Sequence, residues 1–113
     1  MITDDHIPTF NDLKFERHPS GTGFMARHTF PNNYSISVVC GEFFYSSPRV
    51  DLPRGHDYES FEIAVLDPEG EFSTRDFSHD VQYQDDVAGW QTQDDISDLM
   101  TRIFLKDKLD RML

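Results

Sequence analysis

Apolar residues recur at every second position through most of this chain, then shift to a spacing of three and four after Thr92. The first period belongs to a strand with one buried face, the second to a helix with one buried stripe. A chain patterned in that order folds as strands first and a helix last. That is an α+β arrangement rather than alternating β–α units.

The strand segments are separated by turn residues. Leu13 to His18 alternates, Pro19-Ser20-Gly21-Thr22-Gly23 breaks it, and Phe24 to Phe30 alternates again with Phe24, Ala26, His28 and Phe30 on one face. The glycines between them predict a hairpin. After Pro31-Asn32-Asn33, the strongest strand places Tyr34, Ile36, Val38 and Cys40 on one side. Gly41 reads as a bulge before Phe43-Phe44-Tyr45. Tyr58 to Leu66 follows, with Phe61, Ile63 and Val65 aligned, and Asp67-Pro68-Glu69-Gly70 carries the residue order of a type I turn. A short strand is expected from Phe72 to Phe77, and Val81 and Tyr83 fit one more.

Thr92 is placed to cap a helix, with Asp94 and Asp95 near the positive end of its dipole. Ile96, Leu99, Met100, Ile103 and Phe104 form its apolar stripe, and Asp98, Arg102 and Lys106 are spaced for ion pairs on another face. The expected fold is a single antiparallel sheet of about five strands in meander order, with one C-terminal helix packed on a face. Residues 1–12 read as a flexible lead-in and 13–113 as one domain.

Ten Phe, four Tyr and one Trp suit a packed sheet, and the single cysteine excludes an intrachain disulfide and a Cys-rich zinc site. The opening Met-Ile-Thr-Asp-Asp-His lacks a basic segment followed by an apolar one, so no secretory signal is expected. No apolar run reaches the roughly 18 residues of a membrane span, and a soluble, cytoplasmic protein is expected.

The net charge is −11, and it is uneven. Residues 1–57 hold seven acids and five bases, while 58–113 hold fourteen acids and five bases, giving −2 and −9. A field of that sign repels phosphate and anionic lipid and attracts a basic partner. Neither direct nucleic-acid binding nor membrane binding is expected.

No catalytic constellation is visible. His6, His18, His28, His56 and His79 show no H-x-H or H-E-x-x-H spacing, although a hairpin would bring His18 towards His28. No acidic stretch has the alternating carboxylates, sixth-position glycine and twelfth-position glutamate of a calcium loop. Cys40 lies on an apolar face with no neighbouring base, as a structural thiol does. No metal, cofactor or catalytic residue is therefore assigned.

Partner contact is the remaining role. The acidic candidates are Asp85, Asp86, Asp94, Asp95 and Asp98. The loop 46–57, with Pro48, Pro53 and Gly55, is the longest unpatterned stretch and offers Arg49 and Arg54. Trp90 reads first as a core anchor between helix and sheet and second as a surface anchor for a partner.

Asn33-Tyr34-Ser35-Ile36-Ser37-Val38-Val39 resembles an N-x-Y-x-I/V-S-V-V strand of small uncharacterised proteins from tailed bacteriophages. Phe61 to Asp67 followed by Gly70 is similar to their second strand and turn. Asp85-Asp86-Val87-Ala88-Gly89-Trp90-Gln91-Thr92 is similar to their D-D-V-x-G-W/Y-x-T helix start. The resemblance covers residues 11–103. It implies origin and fold, since that family carries no established activity. The expected function is a non-enzymatic phage accessory protein that binds a host protein in the host cytoplasm. A sharper form is a DNA mimic that fills the basic cleft of a CRISPR effector, restriction enzyme or polymerase. The alternative is a self-associating assembly component, such as a homodimer, built on a strand edge or on Leu105, Leu109, Met112 and Leu113. A small metal-dependent enzyme is a third reading.

Overall fold

The clearest alternation in the chain becomes the middle of the sheet. In a computed structural model that describes residues 6–82 and 86–106, β3 (Ser35–Cys40) lies between β2 (Phe24–Thr29) and β4 (Phe61–Leu66). β1 (Glu16–Arg17) and β5 (Ala88–Gln91) flank them, giving the order β1-β2-β3-β4-β5 with every pair antiparallel. The register sets Ala26 against Val38, Val38 against Ile63 and Ile63 against Ala88. Residues opposite one another share a face, so these side chains form one apolar row across four strands.

That face is covered by α1 (Gln93–Phe104), whose Ile96, Leu99, Met100 and Ile103 join the same buried cluster. Each such side chain contributes about 1.5–3 kcal/mol on leaving water, far more than any surface pairing on the helix. The helix start is fixed by a reciprocal pair. Asp95 N–H donates to Thr92 Oγ1 at 3.1 Å, and Thr92 N–H donates to Asp95 Oδ2 at 3.0 Å. At the other end Asn32 Nδ2 donates to the Ile103 carbonyl at 2.9 Å, and Arg102 donates to the Phe77 carbonyl. The ion pair expected between Asp98 and Arg102 gives way to that backbone contact.

The antiparallel meander and single helix are as the periodicity predicts, but the fifth strand is a different segment. Phe72 meets Leu66 in one isolated bridge, and Thr74–Asp76 is a 3-10 turn. The Thr74 hydroxyl accepts the Val65 N–H at 2.9 Å and is itself buried, which fixes the turn against β4 in place of a strand. β5 supplies the fifth strand instead. Val81 bridges Ala88, while Tyr83 lies outside the described residues. Phe43-Phe44-Tyr45 is a turn and not a strand, closed by the Ser46 hydroxyl on the Gly41 backbone.

Of the lead-in, residues 6–12 are described, and Pro8 and Phe10 are buried while His6 and Asn11 are exposed. Phe10 is buried, its ring centroid 5.0 Å from that of Phe61, and its N–H donates to Ser97 Oγ at 3.0 Å. The Asp12 carboxylate accepts Thr9 N–H at 2.8 Å and closes a 3-10 turn over Phe10–Asp12.

Candidate functional site

β5 does not alternate as a regular strand does. Its pairing with β4 shifts register between Phe61 and Ile63, and within that shift Trp90 adopts φ +53. A bulky residue at positive φ is rare, because its Cβ crowds the following carbonyl. Trp90 is held there by two contacts with Tyr45. Its N–H donates to the Tyr45 carbonyl at 2.9 Å, and the two rings lie 5.3 Å apart at 38°. Gly89 makes room, since a Cβ at that position would stand 2.6 Å from Tyr45 Cβ.

The expected core role of Trp90 is therefore corrected. Trp90 is 46% exposed and its ring lies tilted against Tyr45 at the surface, while the helix is anchored by its own aliphatic stripe. Arg49 extends the group, its guanidinium carbon 5.8 Å from the Tyr45 ring centroid. Among the described residues this arginine has no carboxylate partner, unlike Arg17, Arg54 and Arg75. The Glu62 carboxylate accepts Tyr45 N–H at 2.9 Å, setting a negative charge behind the same pair. Phe43, in the turn with Tyr45, and Val50, in the loop with Arg49, are also exposed.

The other proposed contact residues scatter. Arg54 pairs with Asp57 at 2.9 Å, apart from the Arg49 group. Asp86 pairs with Arg75 at 3.1 Å, and Asp95 is engaged in the helix cap. Asp94 and Asp98 are exposed on α1, and Asp85 lies outside the described residues. Tyr45, which joins Trp90 to Arg49, is the residue that sequence reasoning missed. Its only signal was a place in an aromatic run that read as a strand.

The loop 46–57 is tied down rather than free. The Asp51 carboxylate accepts Gly23 N–H at 2.9 Å and Arg17 Nη1–H at 2.7 Å, and these bonds hold its pKa below the usual carboxylate value. The Tyr58 hydroxyl donates to the Val50 carbonyl at 2.6 Å and accepts Leu52 N–H at 2.8 Å. Gly55 is buried, and a Cβ there would strike the Phe15 ring at 2.6 Å.

His18 and His28 fall at opposite ends of the hairpin, since His18 N–H donates to Gly23 at the turn and His28 is near the far end of β2. Among the described residues no three His, Cys, Asp or Glu side chains converge as metal ligands. Burial pushes the Cys40 thiol up to about 12, so it stays protonated and unreactive at neutral pH. Among the described residues no helix is long and apolar enough to cross a membrane. Compared with protein-family models, with curated proteins and with solved structures, the chain matches none.

Proposed function

We propose that this chain is a non-enzymatic phage accessory protein that docks onto a host protein in the host cytoplasm. The observation that carries this reading is the exposed Trp90, held at φ +53 against Tyr45 with Arg49 beyond it. Backbone strain persists where the surroundings over-determine it, and such positions cluster at functional sites. Tryptophan, tyrosine and arginine are also the residues that dominate interface energies. The net charge of −11 favours a partner with a basic face. A nucleic-acid-handling or defence protein, such as a CRISPR effector, presents such a face, and acidic residues including Asp94 and Asp98 would stand in for phosphates.

Tagged protein and its Trp90→Ala variant, each passed through host lysate at low and high salt, test the reading by mass spectrometry of what is retained. The expected result is a nucleic-acid-handling protein held by the parent at low salt, released at high salt, and reduced with Trp90→Ala. Retention of nothing but further copies of the chain itself would overturn it in favour of self-assembly.

A further inference from the structure

We propose that the exposed indole of Trp90 receives an arginine side chain of the partner; this rests on the docking role assigned above and specifies its chemistry. Tryptophan is the strongest receiver of cations among the aromatic side chains, because its face carries the most negative quadrupole. The adjacent ring already does this within the molecule, holding the Arg49 guanidinium 5.8 Å from the Tyr45 centroid. Among the described residues no cation lies over Trp90 itself, although its indole is nearly half exposed.

The surrounding charge has the sign such a contact needs. Glu62 sits on the Tyr45 N–H, Asp94 and Asp95 open the helix that follows Trp90, and the whole chain is at −11. The backbone that carries the indole is also set in place before binding. The Tyr45 carbonyl holds its backbone, Gly89 admits the Tyr45 ring beside it, and a side chain of two torsions is left to order. Preorganisation of this kind lowers the entropy lost on association. A guanidinium fits better than an ammonium because it is planar, weakly hydrated and stacks on aromatic faces.

A fluorescein-labelled hexa-arginine peptide is the probe, with hexalysine and a neutral Gly-Ser peptide as comparisons. Anisotropy gives affinity at low and high salt, and Trp90, as the single tryptophan, reports occupancy of its own face through its emission. The expected result is saturable binding of hexa-arginine, tighter than hexalysine, with a change in indole emission. Trp90→Ala should weaken binding about 3- to 30-fold, and Trp90→Phe less, because phenylalanine keeps a ring of lower affinity. Melting curves of both variants verify that each is folded. Neutralising Asp94 and Asp98 to asparagine should weaken binding at low salt and leave the indole response at saturation unchanged.

Hexa-arginine binding equally to parent, Trp90→Ala and Trp90→Phe would overturn the assignment. If Trp90→Ala fails to fold, Trp90→Phe binding as the parent does overturns it alone. Absence of hexa-arginine binding at low salt would also overturn it. Trp90-dependent capture of a host protein would in that case preserve the wider docking role, and loss of both would remove both.

Discussion

The Asp51 carboxylate accepts the backbone N–H of Gly23 at 2.9 Å, so one side chain from the long loop closes the turn between β1 and β2. Asp51 and Asp12 both titrate below their ordinary value of 3.8, Asp51 chiefly through Gly23 N–H and Asp12 chiefly through Thr9 N–H. A carboxyl whose pKa is lower folded than unfolded binds more protons when unfolded. Its contribution is therefore present above the unfolded value and is lost as pH falls through the folded one. Urea midpoints should hold near neutral pH and fall below about pH 4. Asp51→Asn should lower the midpoint at neutral pH and converge on the parent in acid, giving a shallower acid limb.

Gly23 and Gly41 meet where β2 begins and β3 ends, and each faces backbone: a Cβ on Gly41 would stand 2.8 Å from Gly23 Cα. A Cβ on Gly23, at φ +80, would stand 2.4 Å from the Cys40 carbonyl oxygen. Gly21 has φ +94 and nothing within 4 Å of the same construction. Gly21→Ala should cost about 1–2 kcal/mol of backbone strain. Gly23→Ala should cost more than that, because the strand pairing itself must shift. Chemical denaturation of the two variants side by side separates strain from collision.

Trp90 and Phe61 are both large aromatics on neighbouring strands, yet truncating them should have unequal effects. Phe61→Ala removes a fully buried ring and should cost about 3–5 kcal/mol. Trp90→Gly loses the Tyr45 ring contact, about 0.5–1.5 kcal/mol, and the part of the indole that is buried, but releases positive-φ strain of about 1–2 kcal/mol. The net loss should be smaller than that of Phe61→Ala by denaturant midpoint. A loss comparable with that of Phe61→Ala would mean that Trp90 is a core residue.

Thr92→Ala removes the hydroxyl that accepts Asp95 N–H and should cost about 1 kcal/mol, read as a fall in melting temperature. Because α1 covers the sheet, the loss should appear in the single global transition and not as separate fraying.

Strands β2, β3 and β4 were legible because one face of each is largely buried, and burial imposes the alternation seen at Ile36, Val38 and Cys40. The helix was legible for the same reason at a different period. β5 was not, since Ala88-Gly89-Trp90-Gln91 has no alternation and owes its place to irregular pairing with β4. Trp90 misled because apolar character predicts burial, while positive φ and the Tyr45 contact turned it outward. The loop 46–57 is ordered by Asp51 and Tyr58 bonding to backbone groups, and such bonds leave no period in a sequence. Arg49 and Trp90 were both named as contact residues, but only the three-dimensional position of Tyr45 joins them.

Cys40 ends the central strand, fully buried and paired across from Phe24. A thiol reagent in solution meets this sulfur only in molecules where β3 has parted from its neighbours. When labelling outpaces reclosing, as at high reagent concentration, its speed is set by how often the sheet opens. Such a chain carries its own clock for rare excursions from the native state, started by adding reagent and read by mass, with no introduced probe to disturb it.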